Sequence, residues 1–200
     1  MKKIGFSLLT AATLFASAAT ASDSGLYAGV DLIKSNNDFK VKVSGTGSAS
    51  DTFSNDAVGF KFKFGAMGDE GLRFQGYFMT EKFDDPLYDA DHDRMYEIGV
   101  DLIKGFEVSS QVEPFIQGGL GFGWIDVDDS VYDSSVSAEI SLRFGAGVAF
   151  HASPVAEFLL GVDYQFRTWS DAEITTPTEY YKVELDDHGP RFYIGANYHF

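Results

Sequence analysis

Residues Val58-Gly59-Phe60-Lys61-Phe62-Lys63-Phe64 alternate without a break, three phenylalanines on one side of an extended chain and two lysines on the other. A helix scatters such a pattern around its circumference. A strand, with a period of two, sorts it into an apolar face and a charged face. The same sorting recurs at the carboxyl end, where Phe192, Ile194, Ala196, Tyr198 and Phe200 oppose Arg191, Gly195, Asn197 and His199. A soluble sheet can show this alternation once, whereas a barrel closed within a bilayer requires it of every strand.

The amino terminus is set aside before the strands are counted. Lys2 and Lys3 precede an apolar stretch from Ile4 to Ala18, and Ala19-Thr20-Ala21 is a small-x-small cleavage pattern. Together these predict a secretory signal peptide over residues 1–21 and one domain over residues 22–200. Loss of Lys2 and Lys3 takes the formal charge from −15 to −17, a surface that repels nucleic acid phosphates. With no cysteine, neither a disulfide framework nor a thiolate site is available to an exported chain. No apolar run of membrane-helix length follows the leader. Transmembrane strands need only about ten residues each, and alternation keeps their mean hydropathy near neutral.

Taken in order, the alternation predicts eight strands. Leu26, Ala28, Val30 and Leu32 share a face in the first, and Lys34 to Asp56 reads as a long polar loop, in which Phe39 to Val43 is able to extend a hairpin arm. The lysine-phenylalanine strand turns at Met67 to Gly71 into a third, with Leu72, Phe74 and Phe78 opposed to Arg73, Gln75 and Tyr77. An acidic loop, Asp84 to Asp93, leads to Tyr96, Ile98, Val100 and Leu102 against Glu97 and Asp101. The fifth strand sets Ile116, Leu120, Phe122 and Trp124 against Gln117, Gly119, Gly121 and Gly123, and glycines on an inner face leave room for long side chains. After the acidic stretch Asp126 to Ser134, the sixth sets Ile140, Leu142 and Phe144 against Glu139, Ser141 and Arg143; a turn around Pro154 leads to the seventh, Phe158 to Arg167. Ser170 to Gly189 reads as a loop before the terminal strand. Long acidic connections thus follow odd-numbered strands and short ones follow even-numbered strands, the asymmetry of an outer-membrane barrel with both termini on the periplasmic side.

With these residues in hand, the chain resembles small outer-membrane barrels of the OmpA-type transmembrane domain and its OmpX/Ail-like relatives. The expected fold is all-β, an eight-stranded antiparallel up-and-down transmembrane β-barrel. The resemblance implies residence in the bacterial outer membrane among lipid and lipopolysaccharide, a monomer, and passage through the barrel-assembly machinery, for which Tyr198 and Phe200 resemble the terminal signal. Phe200 is also an expected member of a periplasmic aromatic girdle, with Tyr96 and Trp124 in its outer counterpart.

Candidate chemistry sits on the inward faces, as a polar lumen network of Asp31, Lys61, Lys63, Arg73, Glu81, Glu97, Asp101, Glu139, Arg143, Glu157, Asp163, Arg167 and Arg191, seven acids against six bases. An eight-stranded barrel is just wide enough for side chains to fill its interior, so ion pairs are the expected arrangement, with a narrow porin-like ion path as the alternative. Adhesion through the outer loops is a further alternative. No catalytic residue, cofactor or resident metal is predicted. His151-Ala152-Ser153 resembles the His-x-Ser element of lipid A deacylases, but Pro154 and Gln165 depart from that pattern. Asp89-Ala90-Asp91-His92-Asp93 resembles the opening of a calcium loop, but Arg94 replaces the glycine it needs. What survives is an expectation that acidic loops, including Asp84-Asp85, Asp128-Asp129 and Asp186-Asp187, attract divalent cations shared with lipopolysaccharide phosphates.

Overall fold

The structure, a computed structural model, describes residues 25–45, 47–87, 93–126, 136–175 and 180–200. The described strands are β1 (Leu26–Gly45), β2 (Ser48–Met67), β3 (Leu72–Phe83), β4 (Arg94–Gly105), β5 (Val112–Asp126), β6 (Val136–Ser153), β7 (Ala156–Trp169), β8 (Ala172–Thr175) and β9 (Tyr180–His199). Each of β1 to β6 pairs antiparallel with the next, β7 pairs with β9, and β9 pairs with β1, so eight strands close into a ring. Closure leaves no unpaired edge around the ring, the condition for placing strand backbone in a hydrocarbon phase. The four-residue β8 adds to β9 alone, beyond the end of β7.

One end of the ring carries the tight connections. Asp69–Gly71 form a single 3-10 turn in which Glu70 and Gly71 have φ of 55° and 75°, the left-handed region that a glycine enters freely. The chain termini of the barrel lie at this same end, where Phe200 N donates to Leu26 O at 2.9 Å. At the opposite end the strands run on past the ring.

Two sequence expectations are corrected there. The stretch Lys34 to Asp56 is not a loop: β1 and β2 stay paired from Leu26↔Ala66 to Ser44↔Ser48, a long hairpin of which Phe39 to Val43 is one arm. Most of Ser170 to Gly189 is also strand, since β9 begins at Tyr180 and pairs with β1 as far as Gly45↔Tyr181. Both were obscured because a strand whose outer face meets water instead of lipid loses its outer apolar row, and with it the alternation that marks a membrane strand. Between Ser35↔Arg191 and Asp38↔His188 the β1–β9 ladder is interrupted; Pro190, which has no amide hydrogen, stands at the gap.

The alternation sorts the side chains as the sequence implies. Leu32, Phe62, Phe74, Leu102, Ile140, Phe158 and Phe192 stand exposed on the outer surface, while their neighbours in sequence are buried. Outward aromatics gather into a stack of Phe78, Tyr96 and Trp124 across three adjacent strands, with centroid separations of 6.2 and 5.9 Å. The residues of the expected signal peptide, most of Asp89 to Asp93, and Asp128-Asp129 lie outside the described residues.

Candidate functional site

The inside of the barrel is where charge and geometry converge. Period two places Asp31, Lys61, Lys63, Arg73, Glu81, Glu97, Asp101, Glu139, Arg143, Glu157, Asp163, Arg167 and Arg191 inward, and every one of them is buried. Charges in such a place persist only when paired and hydrogen-bonded. They are arranged in tiers.

At the end bearing the tight turns, Arg73 donates to Glu157 at 2.8 and 2.9 Å and to Glu113 at 2.5 Å. Asn197 donates to the same Glu157 at 2.7 Å. His151 straddles these acids, Nδ1 3.4 Å from Glu157 and Nε2 3.5 Å from Glu113, contacts that become ion pairs when the ring is protonated. Ser153 Oγ accepts from the amide of Val155, and Gln165 binds Glu97 in a different tier, so the His-x-Ser element assembles no nucleophile, base and acid.

One tier further in, Asp31 is held between Lys61 at 3.3 Å and Lys63 at 2.5 Å. Tyr27 donates to Gln75, which donates in turn to Asp101 at 2.8 Å. A void bordered by Lys61, Arg73, Gln117 and Tyr193 measures about 10 Å³, at the lower limit for a single water.

The third tier is built on Arg143. Its Nη1 donates to Glu97 at 2.9 Å, its Nε and Nη2 to Asp101 at 2.9 and 2.6 Å, and its guanidinium lies 4.0 Å from the centre of the Tyr77 ring. The Tyr77 hydroxyl also donates to Glu97. Arg191 grips Asp163 at 2.8 and 3.1 Å. Room for these long side chains comes from β5: a Cβ on Gly119 would collide with Asp101, and one on Gly121 with Ser141, Tyr77 and Glu97.

Above them Arg167 donates to Asp187 at 2.8 Å, to Glu81 at 2.9 Å and to Asn37 at 2.8 Å, while Trp169 Nε1 binds the second oxygen of Asp187 at 2.7 Å. Around this group packs an apolar layer that includes Phe39, Phe83, Met95, Ile125, Leu185 and Trp169, all buried.

Sequence reasoning missed part of this interior. Glu113 lies two positions before Phe115 and four before Gln117 on the inward face, and Asp187 four before Arg191; carrying the alternation past the assumed strand ends finds both. The described lumen therefore holds nine acids against six bases rather than seven against six. The apolar layer was missed for the same reason, because Phe39 and Leu185 fell in segments read as loops.

Outside the ring, Lys182 contacts Asp171 at 2.8 Å and Glu184 at 3.1 Å; hydrogen bonds to these carboxylates raise its pKa above the ordinary lysine value. Among the described residues, no three His, Asp or Glu side chains converge to hold a metal ion.

A family model described as outer membrane protein beta-barrel domain matches residues 6–200. No curated protein matches the chain. Among solved structures it is similar to Neisserial surface protein A, with 21% identity, a TM-score of 0.57 and coverage of 88% of this chain and 98% of that one. It is also similar to the outer membrane protein OprG from Pseudomonas aeruginosa, with 16% identity, a TM-score of 0.60 and coverage of 88% and 96%. At such identities the likeness is one of fold.

Proposed function

We propose, given that the chain belongs to the outer membrane protein beta-barrel domain family and resides in the bacterial outer membrane, that it serves there as a non-enzymatic structural and surface barrel with a packed, non-conducting lumen. The observation that carries this reading is the interior itself. Six cationic side chains are committed to carboxylates, and the apolar layer of Phe39, Phe83, Met95, Ile125, Leu185 and Trp169 lies across the outer end. Moving an ion through it requires breaking buried pairs one after another, each at a cost of several kcal/mol.

Residues 1–21 act in this reading as the export signal, and Tyr198 with Phe200 as the terminal feature recognised during assembly. The long hairpin of β1 and β2, with the outer part of β9, carries the surface role, and its acids, with those of the acidic connections, face lipopolysaccharide phosphates through shared divalent cations. The barrel works as a monomer.

Cells lacking the protein test the proposal. They should leak more of a periplasmic enzyme into the medium while taking up small hydrophilic solutes at the normal rate. Unchanged leakage with slowed uptake would mean a porin-like channel instead.

A further inference from the structure

Among the described residues, one acid in the lumen has no cation beside it. Glu139, 1% exposed on β6, has no hydrogen-bond partner at either carboxyl oxygen. It stands beside Glu97 because both residues pair with Gly123 of β5, one from each side, and the glycines of that strand make room for both carboxyls, that of Glu139 over Gly123 and that of Glu97 over Gly121. The charged groups of the surrounding strands are already taken. Arg143 on β6 serves Glu97 and Asp101, Arg167 on β7 serves Glu81 and Asp187 of β3 and β9, and Arg191 on β9 serves Asp163. Tyr77 of β3 and Gln165 of β7 donate to Glu97, not to Glu139. Two further oxygens with no exposure, Ser141 Oγ and Gln165 Oε1, also lack a partner.

Two ionised carboxylates cannot both be sustained there. With one arginine contact between them and no water-exposed surface, the second negative charge has nothing to offset it. The surplus of acid lies in this outer half of the lumen, since Asp31, Glu113 and Glu157 of the inner half are matched by Lys61, Lys63 and Arg73.

We propose that Glu97 and Glu139 form a buried proton-binding site, a carboxylic acid–carboxylate pair that holds one proton between them. Glu139 carries the proton and donates it to Glu97, which Arg143, Tyr77 and Gln165 keep ionised. The pair titrates as a unit. In the folded barrel it holds one proton more at neutral pH than the same two glutamates in the unfolded chain, so stability falls as the pH is raised.

Infrared spectroscopy of the folded barrel in detergent micelles tests this directly, because a protonated carboxylic acid has a carbonyl stretch separate from that of carboxylates. At neutral pH the native chain should show this band. Glu139→Gln should abolish it and flatten the alkaline loss of stability, whereas substitution of the turn residue Glu70→Gln should leave both unchanged. Glu97→Gln should shift the band, because the proton acceptor is then an amide. A native chain with no such band, or a band that neither variant alters, overturns the proposal. So does stability that depends on added sodium or calcium, which would place a metal ion where the proton is assigned. Glutamine copies the size and hydrogen bonding of protonated glutamate, so an E139Q chain that fails to fold counts against the proposal as well.

Discussion

Arg143 is the side chain on which the interior depends most. It is fully buried, and its five-donor fork satisfies Glu97 and Asp101 while its plane stacks on Tyr77. Arg143→Ala leaves two buried carboxylates without their counter-charge and should destabilise the barrel by about 3–5 kcal/mol, measured by urea unfolding in detergent micelles. Arg143→Lys should recover only part of that loss, since one ammonium cannot reproduce three directed bonds. The glycines of β5 give a second contrast at this scale. Gly121→Ala pushes a methyl group into Ser141, Tyr77 and Glu97 and should cost about 1–3 kcal/mol, whereas the outward Gly76, whose nearest obstacle is 3.9 Å away, should accept alanine with a change within about 0.5 kcal/mol. Equal effects at the two sites would mean that the inward space is not filled as described.

Among the elements, β9 and the β1–β2 hairpin separate what was legible in the sequence from what was not. From Arg191 to Phe200 the inward and outward rows follow from period two alone, because lipid outside and charge inside impose opposite chemistry on neighbouring residues. Tyr181 to His188 keep the pairing with β1, yet water on the outer side removes the contrast, and the strand reads as a loop. The pairing of Glu113 with Arg73 was illegible for a different reason. Inward placement follows from parity, but which base meets which acid is set by the stagger of strands far apart in sequence. Two predictions belong here. Replacing Val41–Asp51 with a short turn should leave the barrel heat-modifiable on detergent gels, because the ring is paired below that arm. Removing Phe200, whose amide closes the ring against Leu26 O, should reduce the folded fraction in the outer membrane more than it reduces the stability of barrels already assembled; an undiminished folded fraction would separate this residue from assembly.

For the whole molecule, the outer and inner surfaces describe a protein that takes its stability from an apolar exterior in lipid and a paired interior without bulk water. Charge is spread accordingly, with balanced ion pairs near the tight turns and an acid surplus toward the long hairpins. An excess of buried acid in an open channel would draw cations through it. In a packed lumen Arg143 and Arg167 each hold two of these acids, and at Glu139 a proton takes the place of a cation. Single-channel recording on the purified barrel in a planar bilayer separates these two cases most directly. The packed lumen predicts a silent membrane at neutral pH, for the native chain and for Arg143→Lys alike. Stepwise cation-selective currents that change when Arg143 is replaced would contradict it.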